Sequence, residues 1–310
     1  MLTKEALRTF EKHHGLATFP MLSIAGMSRR SLQHAVEDGL VEILHERVFR
    51  IVSSSLTVQA RCAALCLAYP RGYVTGPTGG VLSSVRRMPT SDLVTFAVPH
   101  GSNIGPIAGV DLRQTTKVLT DHVVKRGDGI RVASPARLAF DLSRDLSPLD
   151  HRSVVEQLLK ERRTTRHQLG RMAKEMVHPG RPGSVQFMAT LMALVGPPSE
   201  SHPEIEIAEG LRRRGIPVVA QQRFLDLPNK RRIRIDLCVP DARWAVEIDV
   251  HPEHFSLRGA TSDRQRDRLC HRVGWQVERV TEIDLLDLDA ICDELAELYR
   301  IRCADLRISA

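Results

Sequence analysis

The stretch Ile233-Arg-Ile-Asp-Leu-Cys-Val-Pro-Asp-Ala-Arg-Trp-Ala-Val-Glu-Ile-Asp249 contains two apolar runs that carry acidic residues. Asp236 ends the first run, a turn at Pro240 follows, and Glu247 and Asp249 lie in the second run. This pattern predicts two strands that are joined by a tight turn. Because side chains alternate along a strand, Glu247 and Asp249 share one face, and Asp236 can meet them from the neighbouring strand.

Carboxylates at adjacent strand ends form a hard oxygen site that suits a divalent cation such as Mg²⁺ or Mn²⁺. The sequence therefore predicts a metal site made of Asp236, Glu247 and Asp249. The plain alternative is that these acids are solvated strand ends, since surface turns often carry Asp and Glu. Two acids spaced two apart on one face of an otherwise apolar strand favour the metal site.

The length and composition indicate a soluble protein with more than one domain. A chain of 310 residues with 42% hydrophobic and 26% charged residues exceeds what one core usually serves. The predicted domains are residues 1–54, 55–196 and 199–310, and the breaker Gly196-Pro-Pro-Ser199 marks the second boundary. The chain lacks a signal peptide and an apolar run long enough to cross a membrane, so we expect a cytoplasmic protein without a membrane partner.

The net charge bears on the partner of the protein, and the cysteines bear on its redox compartment. A net charge of +7 and a pI near 9.3 favour a polyanionic partner. The six cysteines form no CxxC pair, so structural zinc and a disulfide framework are not indicated. Their apolar neighbours predict buried thiols in a reducing compartment.

The N-terminal residues predict a winged helix-turn-helix. Helical patterns cover residues 3–14, 19–25 and 29–37, with a turn at Gly26, and β runs follow at 41–45 and 48–52. In this fold the third helix enters the major groove of double-stranded DNA. The predicted DNA contacts are Arg29, Arg30, Gln33 and His34 on the helix and Arg47 at the tip of the wing. The alternative is a protein-interaction module with a solvated basic face.

Three segments carry a resemblance to a known family: Gly15–Thr18, Ala25–Ser31 and Gly39–Arg50. This part of the chain resembles the N-terminal winged-helix domain of AbiEi-type antitoxins. The resemblance implies a DNA-binding regulator. Some members of this family repress their own toxin operons, so the resemblance also implies a cognate toxin as a partner.

The middle region predicts a mixed α/β domain without a catalytic pattern. Gly76-Pro-Thr-Gly-Gly80 lacks the residue order of a phosphate loop, so we interpret it as a turn into a helix. Ser134 and Pro135 open a further helix, on which Arg137 and Asp141 lie four residues apart and are expected to pair.

The C-terminal region predicts an α/β sandwich, because a helix, strands, a helix, a strand and a last helix follow in that order. This order resembles the very-short-patch-repair-like branch of the restriction-endonuclease-like, or PD-(D/E)XK, superfamily. The residues that carry the resemblance are Glu204, Ile235-Asp236, Val246–Asp249, His254 and the helix around Arg264. The whole chain is thus expected to be an α+β multidomain protein.

The resemblance to the nucleases implies roles for individual residues. Asp236 and Glu247 would hold Mg²⁺, Glu204 would support the cluster, His254 would orient or deprotonate the attacking water, and Arg264 and Arg268 would neutralise phosphate. In this branch the position of the family's lysine is taken by an acid, which here is Asp249. Two residues compete for these roles: Glu206 with Glu204, and His251 with His254.

These patterns lead to two functional hypotheses. The first is a Mg²⁺-dependent DNA endonuclease that an N-terminal winged helix directs to DNA. The second is a non-catalytic DNA-binding regulator, the antitoxin of a type IV toxin–antitoxin-like system, that keeps a degenerate nuclease fold. A third hypothesis is a protein-interaction module of such a system.

Overall fold

The computed structural model describes residues 2–45, 47–118, 120–194, 202–220, 224–227, 231–249 and 267–308. It is a mixed α/β protein with several small sheets and helices throughout the chain. The chain divides into two compact units. The first unit comprises Met1–Val154 and Arg162–Leu191, and the second comprises Val155–Glu161 and Met192–Ala310. The predicted boundary at residue 54 falls inside the first unit, and the three-domain division stays a prediction.

The first unit begins with three short helices and a three-stranded sheet. The helices are α1 (Lys4–Lys12), α2 (Phe19–Ile24) and α3 (Arg29–Glu37). The strands are β1 (Leu16–Thr18), β2 (Val41–His45) and β3 (Val48–Ile51), in the order β1-β3-β2. Both pairings are antiparallel. The sequence predicted the three helices and the strands β2 and β3, but it did not predict β1.

Local signals explain where α3 begins and which of its sides is buried. Gly26 adopts a φ of +81°, which a residue with a side chain rarely adopts, and so turns the chain before the helix. The Ser28 side chain accepts a hydrogen bond from the backbone N–H of Ser31 at 3.1 Å and caps the first turn. Leu32 and Ala35 are buried, which fixes the side of α3 that packs on the core.

The rest of the first unit is built on a five-stranded mixed sheet in the order β6-β5-β4-β8-β7. Its strands are β4 (Tyr73–Val74), β5 (Val94–Pro99), β6 (Val110–Thr115), β7 (Val123–Lys125) and β8 (Arg131–Ala133). A 3-10 helix at Thr120–His122 precedes β7, because only Val123–Lys125 finds a partner, in β8.

Six α-helices lie between residues 58 and 193 of the described chain. They are α4 (Val58–Ala68), α5 (Gly76–Leu82), α6 (Pro135–Leu142), α7 (Pro148–Lys160), α8 (Arg166–Met176) and α9 (Ser184–Ala193). The last residues of α7 and α9 belong to the second unit. The glycine-rich segment opens a helix, as predicted. The predicted pair on α6 is also confirmed, since Arg137 Nε lies 2.8 Å from Asp141 Oδ1.

The second unit is built on a four-stranded sheet in the order β14-β13-β12-β9. Its strands are β9 (Val219–Ala220), β12 (Leu237–Val239), β13 (Trp244–Asp249) and β14 (Gln276–Thr281). A separate antiparallel pair consists of β10 (Phe224–Leu227) and β11 (Arg231–Arg234). β9 pairs with β12, whereas β10 pairs with β11.

Helices lie on both faces of this sheet, as the predicted sandwich requires. The helices α10 (His202–Arg213) and α11 (Leu288–Leu306) share one apolar core with Trp244 and Val246. The opposite face carries Ala245, which packs with Cys270 from the helical residues 267–272. The fully buried Trp244 ring meets the Tyr299 ring edge-on at 5.4 Å between centroids, a geometry that stabilises aromatic pairs.

All six cysteines are reduced and buried, as predicted. Burial raises the pKa of Cys62 to about 12, so this thiol stays protonated near neutral pH. Within the described residues, no helix has the length and apolar character needed to cross a membrane.

Candidate functional site

The outer side of α3 presents the side chains that we predicted to contact DNA. Arg29, Arg30, Gln33 and His34 are all exposed, because Leu32 and Ala35 take the inner side of the helix. At helical spacing, these four residues form one continuous polar face.

The strands β2 and β3 extend beside α3, and Arg47 is exposed in the turn that joins them. A groove of about 600 Å³ lies between this strand pair and the helix. Its lining includes Arg29, Gln33 and Arg47 together with apolar residues, namely Phe19, Pro20, Leu32, Val36, Ile43 and Phe49. The structure therefore brings three of the predicted DNA contacts to one concave surface.

Three internal contacts hold side chains of this face in place. The Arg29 guanidinium lies 5.0 Å from the centre of the Phe19 ring, a cation–π distance. Glu37 accepts a hydrogen bond from Gln33 Nε2 at 3.0 Å, and its other oxygen lies 3.3 Å from His34 Nδ1. Gln33 and His34 are thus oriented by one carboxylate, which limits the hydrogen bonds that they can offer to a ligand.

In the second unit, the antiparallel pairing of β12 with β13 brings two of the predicted acids to one place. Leu237 pairs with Val246, so Asp236 and Glu247 occupy the next opposed positions. Asp236 lies in the break between β11 and β12, and its Oδ2 accepts a hydrogen bond from the backbone N–H of Ile248 at 3.0 Å. This hydrogen bond fixes the Asp236 carboxylate against the strand that carries Glu247.

Two glutamates of the candidate site are buried. Glu247 is 5% exposed and Glu204, in the first turn of α10, is 4% exposed. Charged side chains are rarely buried without a partner or a function. Glu206, the competitor of Glu204, lies 3.2 Å from His202 and is more exposed.

Several predicted site residues lie outside the described residues. These are the side chain of Asp249, both candidate histidines His251 and His254, and Arg264. Arg268 is described and exposed in the helical segment 267–272. Within the described part of the chain, no three His, Cys, Asp or Glu side chains are close enough to hold a metal ion. The three-carboxylate metal site therefore stays a prediction.

We did not single out Arg279 as a site residue from the sequence, although it lies beside Glu247. The strands β13 and β14 are parallel, and Glu247 pairs in register with Arg279. The Arg279 guanidinium also binds Asp267, with contacts of 2.7 and 3.1 Å. Only the strand pairing reveals this cation, since Arg279 and Glu247 are far apart in the sequence.

No family model matches this chain, and no curated protein matches it. A solved structure, that of the RV2827C protein from Mycobacterium tuberculosis, is similar over 64% of this chain and 79% of that chain, with a TM-score of 0.40 and 13% sequence identity. Two chains with so little similarity need not share a function.

Proposed function

We propose that the protein binds double-stranded DNA through its N-terminal residues, which we interpret as a winged helix-turn-helix. The observation that carries the proposal is the exposed polar face of α3, which lies beside Arg47 in the β2–β3 turn. The order of helices and strands, with β1 added to the β2–β3 pair, is typical of such a domain.

These side chains can bind both the phosphate backbone and the base edges of DNA. Guanidinium groups bind phosphate and can donate two hydrogen bonds to guanine, and a Gln side chain can address adenine. The Glu37 carboxylate restrains Gln33 and His34, so we expect Arg29 and Arg30 to provide most of the affinity. The net charge of +7 adds a general attraction to the phosphate backbone.

Replacing Arg30 with alanine is expected to weaken binding to a random-sequence duplex about tenfold at low salt. The physical reason is the loss of one exposed cation that releases counterions from the DNA, so the dependence of binding on salt should also become shallower, by about one unit of slope. Fluorescence anisotropy over a series of salt concentrations measures both effects.

The matched control is Arg8→Ala, because Arg8 is an exposed arginine of the same unit but lies on α1. It is expected to bind nearly as the wild type does. Equal losses in the two variants would mean that α3 is not the DNA-binding face.

We also propose that residues 199–310 form a Mg²⁺-dependent endonuclease domain of the PD-(D/E)XK type. The supporting observation is the register that opposes Asp236 to the buried Glu247. Their oxygen atoms are the ligand type that Mg²⁺ prefers, so this pair fits the cation, with Asp249 as the third proposed ligand. Bound there, the cation would polarise the scissile phosphate.

In this proposal, further side chains of the protein support the acidic pair, orient the attacking water and bind the DNA backbone. Glu204 would support the acidic pair from α10, and His254 would orient the attacking water. The exposed Arg268, with Arg264, would bind the DNA backbone.

Nicking of a supercoiled plasmid in the presence of Mg²⁺ or Mn²⁺ tests the nuclease proposal. If the wild-type protein binds DNA without nicking it, the alternative function remains, that of a non-catalytic regulator or antitoxin with a cognate toxin as its partner.

A further inference from the structure

A second polar cleft lies within the first unit, away from α3. Its volume is about 390 Å³, which falls within the range of small-molecule sites. Four arginines line it: Arg113 on β6, Arg137 on α6, Arg144 after α6, and Arg181 after α8. Hydroxyl groups of Thr75, Thr115 and Thr116 also line it. None of these residues belongs to the DNA-binding face or to the nuclease proposal.

The floor of the cleft is a rigid hydrogen-bonded network around the buried Arg137. Its Nε donates to Asp141 at 2.8 Å, and its NH1 group donates to the Lys117 carbonyl at 2.8 Å and to His122 Nδ1 at 3.0 Å. Its NH2 group donates to Thr115 Oγ1 at 3.1 Å. A network in which each member is held by several bonds keeps its geometry before a ligand arrives.

The same carboxylate organises a second wall of the cleft. Thr75 Oγ1 donates a hydrogen bond to Asp141 Oδ2 at 2.6 Å. Next to it, Arg113 binds Asp145 through two parallel bonds of 2.8 and 2.9 Å. Gly76 makes this close approach possible, because a Cβ atom there would lie 2.9 Å from Arg113 NH1. Arg113 and Arg137 are therefore neutralised by carboxylates and serve as structural parts of the site.

The two arginines at the rim are less fully paired with carboxylates than Arg113 and Arg137 are. Arg144 Nε lies 3.6 Å from Asp145, a carboxylate that already accepts two hydrogen bonds from Arg113. Arg181 donates to Thr116 Oγ1 at 3.1 Å and to the Met176 carbonyl, and within the described residues it makes no ion pair. Two guanidinium groups that share at most one carboxylate, already bonded to Arg113, above a polar, prearranged floor favour a doubly charged oxyanion.

We propose that this cleft binds a phosphate monoester of nucleotide size, with Arg144 and Arg181 on the phosphate oxygens. The phosphate can come from a free nucleoside monophosphate or from the 5′ end of a DNA strand. These two sources share the chemistry that the cleft recognises, and titration with both separates them.

The test is calorimetric titration of the full-length protein with AMP, with adenosine and with a pentanucleotide that carries or lacks a 5′ phosphate. We expect AMP to bind and adenosine not to bind, because the two differ only in the phosphate. Binding of AMP together with equal binding of the two pentanucleotides identifies the free nucleotide as the ligand. Tighter binding of the phosphorylated pentanucleotide, in competition with AMP, identifies the DNA end.

The variant Arg144→Ala/Arg181→Ala should weaken binding of the phosphorylated probe about tenfold or more. Arg8→Ala is the matched control and should leave it unchanged. Thermal unfolding of the double variant at the wild-type temperature verifies that it is folded. If it is not folded, the charge-preserving variant Arg144→Lys/Arg181→Lys replaces it and should show an intermediate loss of affinity for the phosphorylated probe. Failure of all phosphorylated probes to bind the wild type, or undiminished binding by the folded variant, would overturn the proposal.

Discussion

Replacing Glu247 with glutamine is expected to reduce Mg²⁺-dependent plasmid nicking about a thousandfold. Glutamine has almost the same volume, so the apolar strand around it stays packed. It lacks the negative charge with which a carboxylate ligand offsets the charge of the cation. Because Glu247 is 5% exposed and opposed to Asp236, the loss should fall on catalysis and not on DNA binding.

The comparison is made under single-turnover conditions, with nicked and supercoiled plasmid separated on a gel. Glu294→Gln is the control, since Glu294 is an exposed acid on α11 of the same unit and should nick as the wild type does. Anisotropy on the same samples verifies that the Glu247 variant still binds DNA. Equal nicking by the Glu247→Gln variant and the wild type would remove the nuclease proposal while leaving the DNA-binding proposal intact.

Acidification from pH 7 to pH 4 is expected to lower the free energy of unfolding of the first unit by about 3 kcal/mol through His151 alone. Burial lowers the pKa of His151 to about 4, although a hydrogen bond to the Ala139 carbonyl acts in the opposite direction. The ring is fully enclosed, with Nδ1 2.7 Å from Thr190 Oγ1 and Nε2 2.8 Å from the Ala139 oxygen.

The direction of this effect follows from which state binds the proton. In the unfolded chain His151 titrates near the ordinary histidine pKa of 6.5, whereas in the folded protein it stays neutral down to about pH 4. Between these values the unfolded state takes up a proton that the folded state does not. The contribution of His151 to the free energy of unfolding is therefore fully present above pH 6.5 and is lost as the pH falls towards 4.

Urea unfolding at a series of pH values, followed with a probe in the first unit, measures how steeply the free energy of unfolding depends on pH. His151→Gln removes the titrating ring and should flatten the dependence of stability on pH between 6.5 and 4, at the cost of a lower stability at neutral pH. His167→Gln serves as the control, because His167 is exposed on α8 and should leave the slope as it is. A steep slope that survives in the His151 variant would show that another group is responsible.

Local sequence signals were enough to predict the N-terminal helices and the face of α3 that carries Arg29 and Arg30. The signals for these features are local: Ser28 caps the helix, Gly26 allows the turn, and Leu32 and Ala35 mark the buried side. Capping bonds and apolar spacing act within a few residues of the chain, so they can be recognised without knowledge of the fold. The same applies to the predicted pair of Arg137 and Asp141, which lie one helical turn apart.

The pairing of strands and the contacts between distant side chains could be seen in the folded protein but not predicted from local sequence. β1 is too short to show a periodic pattern, and β9 and β10 look continuous in sequence although they join different sheets. The opposition of Asp236 to Glu247, the approach of Arg279, and the four arginines of the cleft depend on the register of strands and on loops that are far apart along the chain. Register is set by the burial of whole faces against one another, and this energy is not contained in any short segment.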